Sequence, residues 1–186
     1  MNTVRYIALL RGINVGGRNI IKMIELRKCL EEAGFRDVIT YIQSGNVIFS
    51  HEQTDLRLVE GTLEKCLKKQ FAYTEPIVVF SQNDFAKIIA EAPKDFGLQP
   101  DIYRYDVIFL KNPLRPRELL DQLTLKEGVD TAAIGTKALY FCRLTAKASS
   151  SRLSKITLLP AYKSLTIRNW NTTSKLLRLL SDSHTE

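Results

Sequence analysis

Three polar segments carry the residues whose types and spacing suit ligand chemistry. The first, Arg11-Gly12-Ile13-Asn14-Val15-Gly16-Gly17-Arg18-Asn19, follows an apolar run and precedes a helical one. Its glycines and asparagines reach backbone conformations closed to most residues. Amides in such a turn can converge on an anion, and Arg11, Arg18 and Lys22 flank it with positive charge. The spacing is neither GxGxxG nor that of a phosphate loop ending in Gly-Lys-Ser/Thr, so neither a dinucleotide fold nor an NTPase is indicated. A long strand-to-helix connection is the plainer reading of the same glycines. The second segment, Tyr41-Ile42-Gln43-Ser44-Gly45-Asn46, reads first as a hairpin turn. It also gathers Gln43, Ser44 and Asn46, three amide or hydroxyl groups, on one loop. The third, Arg168-Asn169-Trp170-Asn171-Thr172-Thr173, crosses from the last strand into the last helix, which Asn171 or Thr172 is expected to cap. Arg168, Asn169 and the single tryptophan have no evident structural duty there, although an isolated Trp belongs more often to a core. An arginine beside a helix N-terminus suits a phosphate or carboxylate. Ser149-Ser150-Ser151-Arg152 is a weaker case of the same pattern.

The catalytic inventory is thin. His51 and His184 are the only histidines, and neither lies near a serine, cysteine or aspartate arrangement that would make a triad. No His, Cys or carboxylate cluster has metal-ligand spacing, and no cofactor is implied. No residue stands out as a nucleophile, so no catalytic residue is assigned and enzymatic activity stays open.

Charge is unevenly placed. Between Thr131 and Ser181 nine of the 27 basic residues occur with no Asp or Glu, leaving 18 against the chain's 20 acidic residues elsewhere. A second acid-free window, Met1 to Ile24, carries Arg5, Arg11, Arg18 and Lys22. Such blocks favour polyanions or phosphorylated ligands, or simply keep a face solvated. The opening MNTVRYIALLRG is interrupted by Arg5 and reads as a strand rather than a signal peptide. No apolar stretch approaches the ~20 residues of a membrane span. Cys29, Cys66 and Cys142 sit in apolar periodic segments and read as buried reduced thiols, which points to a cytoplasmic protein.

The elements that must position these segments repeat. Strands are expected at Val4–Leu10, Asp37–Ile42, Val47–Phe49 and Pro76–Phe80, with helices at Met23–Ala33 and Thr54–Phe71 and a short helix capped by Ser81. The order then restarts, with strands at Tyr105–Leu110, Val129–Ile134, Ala138–Leu144 and Leu165–Arg168. Helices are expected from Pro116 to about Leu123, at Ser150–Leu159, and from Asn171 through Leu180. IALLRG aligns with VIFLKN, and VVFSQNDFAKII with LTIRNWNTTSKLL. The expected fold is therefore α+β, a tandem duplication of the ferredoxin-like βαββαβ unit with a helix after each repeat. The repeats would cover residues 1–92 and 101–186, joined through 93–100, with a cleft between them as the default ligand site.

ALLRGINVGG (8–17), TYIQSGN (40–46) and TIRNWNTT (166–173) resemble the hallmarks of a bacterial family catalogued as a domain of unknown function. Lys22-Met23, Glu25-Leu26 and Ser151-Arg152-Leu153-Ser154-Lys155 are similar to it as well. The resemblance implies the same duplicated ferredoxin-like architecture and supplies no activity, substrate or catalytic residue.

The function expected from these readings is binding of a phosphate-bearing ligand, either nucleic acid or a nucleotide-like molecule. Arg11, Arg18, Lys22 and Arg168 would contact phosphate, while Asn14, Gln43, Asn46 and Asn169 supply oriented hydrogen bonds. Gly12, Gly16, Gly17, Ser44, Trp170 and Asn171 complete the expected surface. The alternatives are an enzyme acting on a phosphorylated metabolite and an interaction protein forming homodimers through exposed strand edges.

Overall fold

Burial runs unbroken from Tyr6 to Leu10 along β1 (Val4–Leu10), so this strand needs partners on both edges and cover on both faces. The structure, a computed structural model, describes residues 3–17 and 19–182. It sets β1 between β3 (Asn46–His51) and β4 (Ile77–Ser81), with β2 (Arg36–Tyr41) outside β3, every pairing antiparallel. On one face Tyr6, Ala8, Leu10, Val47 and Phe49 pack against the apolar stripes of α1 (Met23–Glu32) and α2 (Leu56–Phe71), chiefly Leu26, Leu30, Val59, Leu63 and Leu67. Strand alternation sends Ile7, Leu9, Ile48 and Val78 to the opposite face, where they too are buried. Asp55 caps α2 by accepting the Arg57 amide at 2.9 Å. Ser81 starts α3 (Gln82–Ala90), its Oγ accepting the Asp84 amide at 3.1 Å.

The later half contains a second antiparallel sheet. Here β5 (Tyr103–Leu110) lies between β7 (Ala138–Leu144) and β8 (Leu165–Asn169), with β6 (Asp130–Ile134) outside β7. Counted from its own first strand, this sheet has the strand order of the first. Its core joins Ile108, Leu110, Leu139, Phe141 and Leu165 to Leu119 of the short α4 (Pro116–Leu120), with Leu153 and Ile156. The chain closes with α5 (Trp170–Ser181). It divides into two compact units, one running to Phe85 and resuming at Leu176, the other spanning Ala86–Lys175. Residues 93–100 lie in the second unit, where Phe96 is 8% exposed. Among the described residues no helix is long and apolar enough to cross a membrane.

Two local expectations are corrected. The helix begun by Pro116 stops at Leu120 rather than near Leu123. The segment expected as a helix over Ser150–Leu159 is instead three short 3-10 turns, Thr145–Ser150, Leu153–Leu158 and Pro160–Ser164. The apolar spacing of Leu153 and Ile156 is real, because both are buried, but the polar residues between them prefer local bonds. Ser150 Oγ donates to the Lys147 carbonyl and Thr157 Oγ1 to the Ser154 carbonyl, competing with helical bonding. Asp130 fixes the turn, its Oδ2 accepting the amides of Arg152 and Lys126, each at 2.9 Å.

Burial pushes the Asp130 carboxyl up, but hydrogen bonds from Ser151, Arg152 and Lys126 and the charge of Arg143 outweigh it. The group titrates below the ordinary 3.8. A carboxyl lowered on folding stabilises the fold above its unfolded pKa, and that contribution disappears as pH falls through the folded value. Asp130→Asn is therefore expected to cost about 1.5–3 kcal/mol in urea unfolding at pH 7, with a gap to wild type that narrows below about pH 4.

Candidate functional site

In the first unit the glycine loop and the β2–β3 turn are fastened to each other. Asn14 Nδ2 donates to the carbonyls of Ile21 and Gln43, each at 2.9 Å, while its Oδ1 accepts the Ile21 amide at 2.9 Å. Asn19 Nδ2 donates to the Gly12 carbonyl at 3.2 Å. The Gly45 carbonyl accepts the Leu10 amide at 2.8 Å. Gly45 has φ +76°, and a Cβ there would lie 2.8 Å from Leu10 Cβ, so this glycine is required by both conformation and space. Asn46, fully buried, donates to the Tyr41 carbonyl and to Ser44 Oγ. Arg11 pairs with Glu75, and its main chain both donates to and accepts from the Tyr73 hydroxyl, at 2.9 and 2.8 Å. Asn14, Asn46 and Arg11 thus spend hydrogen bonds on building the loops. Gly16, Gly17 and Gln43 are exposed, and Lys22 reaches Glu25 at 3.4 Å. Arg18 and His184 lie outside the described residues. His51 Nδ1 accepts the Gln53 amide at 2.9 Å and its ring lies against Phe35.

The second unit holds a cleft of about 360 Å³. Its position follows from strand register. Tyr103–Phe109 pairs with β7 along its length, whereas β8 ends at Asn169 opposite Asp106. Tyr103, Arg104 and Tyr105 therefore run past the end of β8 and line the cleft with Trp170 and Asn171. Alternation along β5 puts Tyr103 and Tyr105 on one face and Arg104 and Asp106 on the other. Arg143 stands opposite Arg104 in the β5–β7 register and reaches Asp106 with 3.1 Å between Nη2 and Oδ2. Asp106 is only 8% exposed. Burial raises its carboxyl above the usual aspartate range, against the opposing pull of Arg143 and Arg104.

Aromatic packing fixes the other wall. Phe96 meets Trp170 edge-on with ring centroids 5.1 Å apart and packs likewise on Tyr105 at 4.9 Å and Tyr140 at 5.6 Å. Trp170 is thus half-buried against Phe96 and still lines the cleft, rather than belonging wholly to a core. Asn169, not Asn171 or Thr172, caps α5, its Oδ1 accepting the Thr172 amide at 2.7 Å. Arg168 turns back on its own strand, donating to Thr166 Oγ1 and the Ile167 carbonyl. Of the third motif, Asn169, Trp170 and Asn171 reach the cleft. A second cleft, of about 350 Å³, shares Tyr103 and Tyr105 but is lined by Phe96, Ala132 and Ala133, with no arginine.

Sequence reasoning missed Tyr103, Arg104, Asp106 and Arg143. Their signal was present as Tyr-Arg-Tyr-Asp at the start of an apolar strand and a lone arginine in the strand Ala138–Leu144. Among the described residues no group of three His, Cys, Asp or Glu side chains could hold a metal.

Gly97 provides a direct handle on the wall. It has φ +91°, and a Cβ would lie 2.2 Å from Trp170 Nε1. Gly97→Ala is expected to displace the only indole and shift its emission, with a lower thermal midpoint; an unchanged spectrum would contradict this packing.

A conserved bacterial protein of Streptococcus pneumoniae has the same fold, with a TM-score of 0.84 at 28% identity, over 97% of this chain and all of that one. No curated protein gives a significant match. Residues 3–140 match the family described as protein of unknown function, DUF1697. With three-quarters of its length matched, the chain belongs to the DUF1697 family.

Proposed function

We propose that the cleft beside β5 binds a phosphate-bearing ligand that carries an aromatic base, either a free nucleotide or a nucleotide unit of a nucleic acid. One observation carries the reading: Arg104, Arg143 and the half-buried ring of Trp170 share one cleft. A base stacked on an aromatic side chain gains about 1–3 kcal/mol, and an arginine fork suits phosphate oxygens. The exposed side chain of Asn171 adds an amide next to Trp170. The basic, acid-free stretch from Thr131 to Ser181 contributes a favourable field for an anion. The shared strand order of the two sheets supports the accompanying reading that the chain is a duplicated ferredoxin-like unit.

A second reading has its own observation. Asp106 faces the same cleft, and burial makes its carboxyl hold a proton more readily than a free aspartate. In an enzyme acting on a phosphorylated metabolite this group would be the acid. Turnover in a screen of phosphorylated metabolites, abolished in Asp106→Asn, would favour it over simple binding.

Trp170 is the only tryptophan and reports on the cleft directly. Titration with a nucleoside monophosphate is expected to quench its emission saturably, whereas inorganic phosphate alone does not. Arg104→Ala, at an exposed position, is expected to weaken the nucleotide about tenfold, the loss of one charge-assisted hydrogen bond. Absence of saturable quenching at millimolar nucleotide would overturn the reading.

A further inference from the structure

We propose that Cys29 and Cys66 form a dithiol site that a two-electron oxidant of the peroxide class closes into an intramolecular disulfide, joining α1 to α2. The two residues come from different helices of the first unit, yet their Sγ atoms are 3.0 Å apart. Each sulfur also lies close to the other residue's carbonyl, at 3.7 and 3.8 Å, so the pair is centred on the contact between the helices. Only about 1 Å separates this arrangement from a bonded S–S distance. A small relative movement of the two helices or of the side-chain torsions would close it.

Two other readings of a close cysteine pair fit less well. A structural zinc site needs four ligands, and among the described residues no third His, Cys, Asp or Glu joins these two. Simple filling of the helix interface by two small hydrophobes does not require the sulfurs to face one another. Access also suits a small oxidant, because Cys29 is 8% exposed while Cys66 is half-buried. Burial, the hydrogen bond with Cys29 and the charge of Cys29 together push the Cys66 thiol up to about 12. At neutral pH it remains largely S–H, and because peroxide acts on the thiolate, closure is expected to be slow at neutral pH and to quicken as pH rises.

The chemistry balances without a cofactor. Peroxide oxidises one sulfur to a sulfenic acid and leaves as water. The neighbouring sulfur then attacks that sulfenic sulfur, the S–S bond forms, and a second water departs with the thiol proton. Two thiols and one hydrogen peroxide give one disulfide and two waters. The bond would close a loop between positions 37 residues apart. Such a crosslink restricts the unfolded chain and raises the thermal midpoint by roughly 5 °C or more.

The full-length protein provides the test. After hydrogen peroxide treatment, thiols are counted under denaturing conditions and non-reduced peptides are mapped by mass spectrometry. The free thiols are expected to fall from three to one, with a monomer whose Cys29 and Cys66 peptides are joined and a dithiothreitol-reversible rise in thermal midpoint. Cys142→Ser should retain the bond and lose its one remaining thiol, while Cys66→Ser should lose both bond and stabilisation. Three surviving thiols, a bond through Cys142 or between chains, or sulfinic acid on Cys29 or Cys66 without a bond would each overturn the proposal. The wild-type peptide map decides the matter even if a serine variant fails to fold.

Discussion

The second unit is organised by where burial begins on β5. From Asp106 to Leu110 every residue is buried, and the strand is flanked by β7 on one edge and β8 on the other. Such a stretch leaves no place for an exposed polar side chain. Before Asp106 the constraint lapses, because β8 has ended at Asn169 and only β7 continues. Polar and aromatic residues can collect only at that end, and they do: Tyr103, Arg104 and Tyr105 from β5, Arg143 from β7, Asn169 and Trp170 from the junction with α5. Asp106 stands at the boundary. It is buried enough to suffer desolvation and close enough to Arg143 to offset part of the cost.

The two sheets share a strand order but solve the connection before the last strand differently. In the first unit the sixteen-residue α2 supplies a full apolar stripe. In the second, 3-10 turns present Leu153 and Ile156, with the partly buried Ala161 and Tyr162, to the core, and the buried carboxylate of Asp130 accepts the Arg152 amide beside them. Asp130 also lies opposite Arg143 in the β6–β7 register. The arginine that lines the cleft thus has an anionic neighbour on each side, Asp106 and Asp130. An incoming phosphate would share a cation already compensated by carboxylates, so exposed Arg104 offers the less encumbered first contact.

Much of the secondary structure was legible in the residues. The run VRYIALL reads as a strand and is one, and the stripe Val59, Leu63, Leu67 reads as one side of a helix and is buried as such. Ser150–Leu159 misled because two apolar residues three apart satisfy a 3-10 turn as well as an α-helix, and the deciding partner, Asp130, is distant in sequence. The motifs were legible as special, and the structure shows that several of their side chains also hold the loops together. Asn14 and Asn46 look like ligand groups by type, but Asn14 bonds to Gln43 on the neighbouring loop and Asn46 to Tyr41 and Ser44 of its own turn, which a linear reading cannot reveal. Conversely, Tyr103 and Arg143 look like ordinary strand residues until register places them beside Trp170.

Amide and indole NMR shifts of isotope-labelled protein titrated with a nucleoside monophosphate test most directly whether the ligand sits in this cleft. Saturating shifts are expected at the Trp170 indole, along Tyr103–Asp106 and at Asn169–Asn171, with the glycine loop unmoved. Shifts confined to Gly12–Gly17 and Lys22, or no shifts at millimolar nucleotide, would contradict that placement.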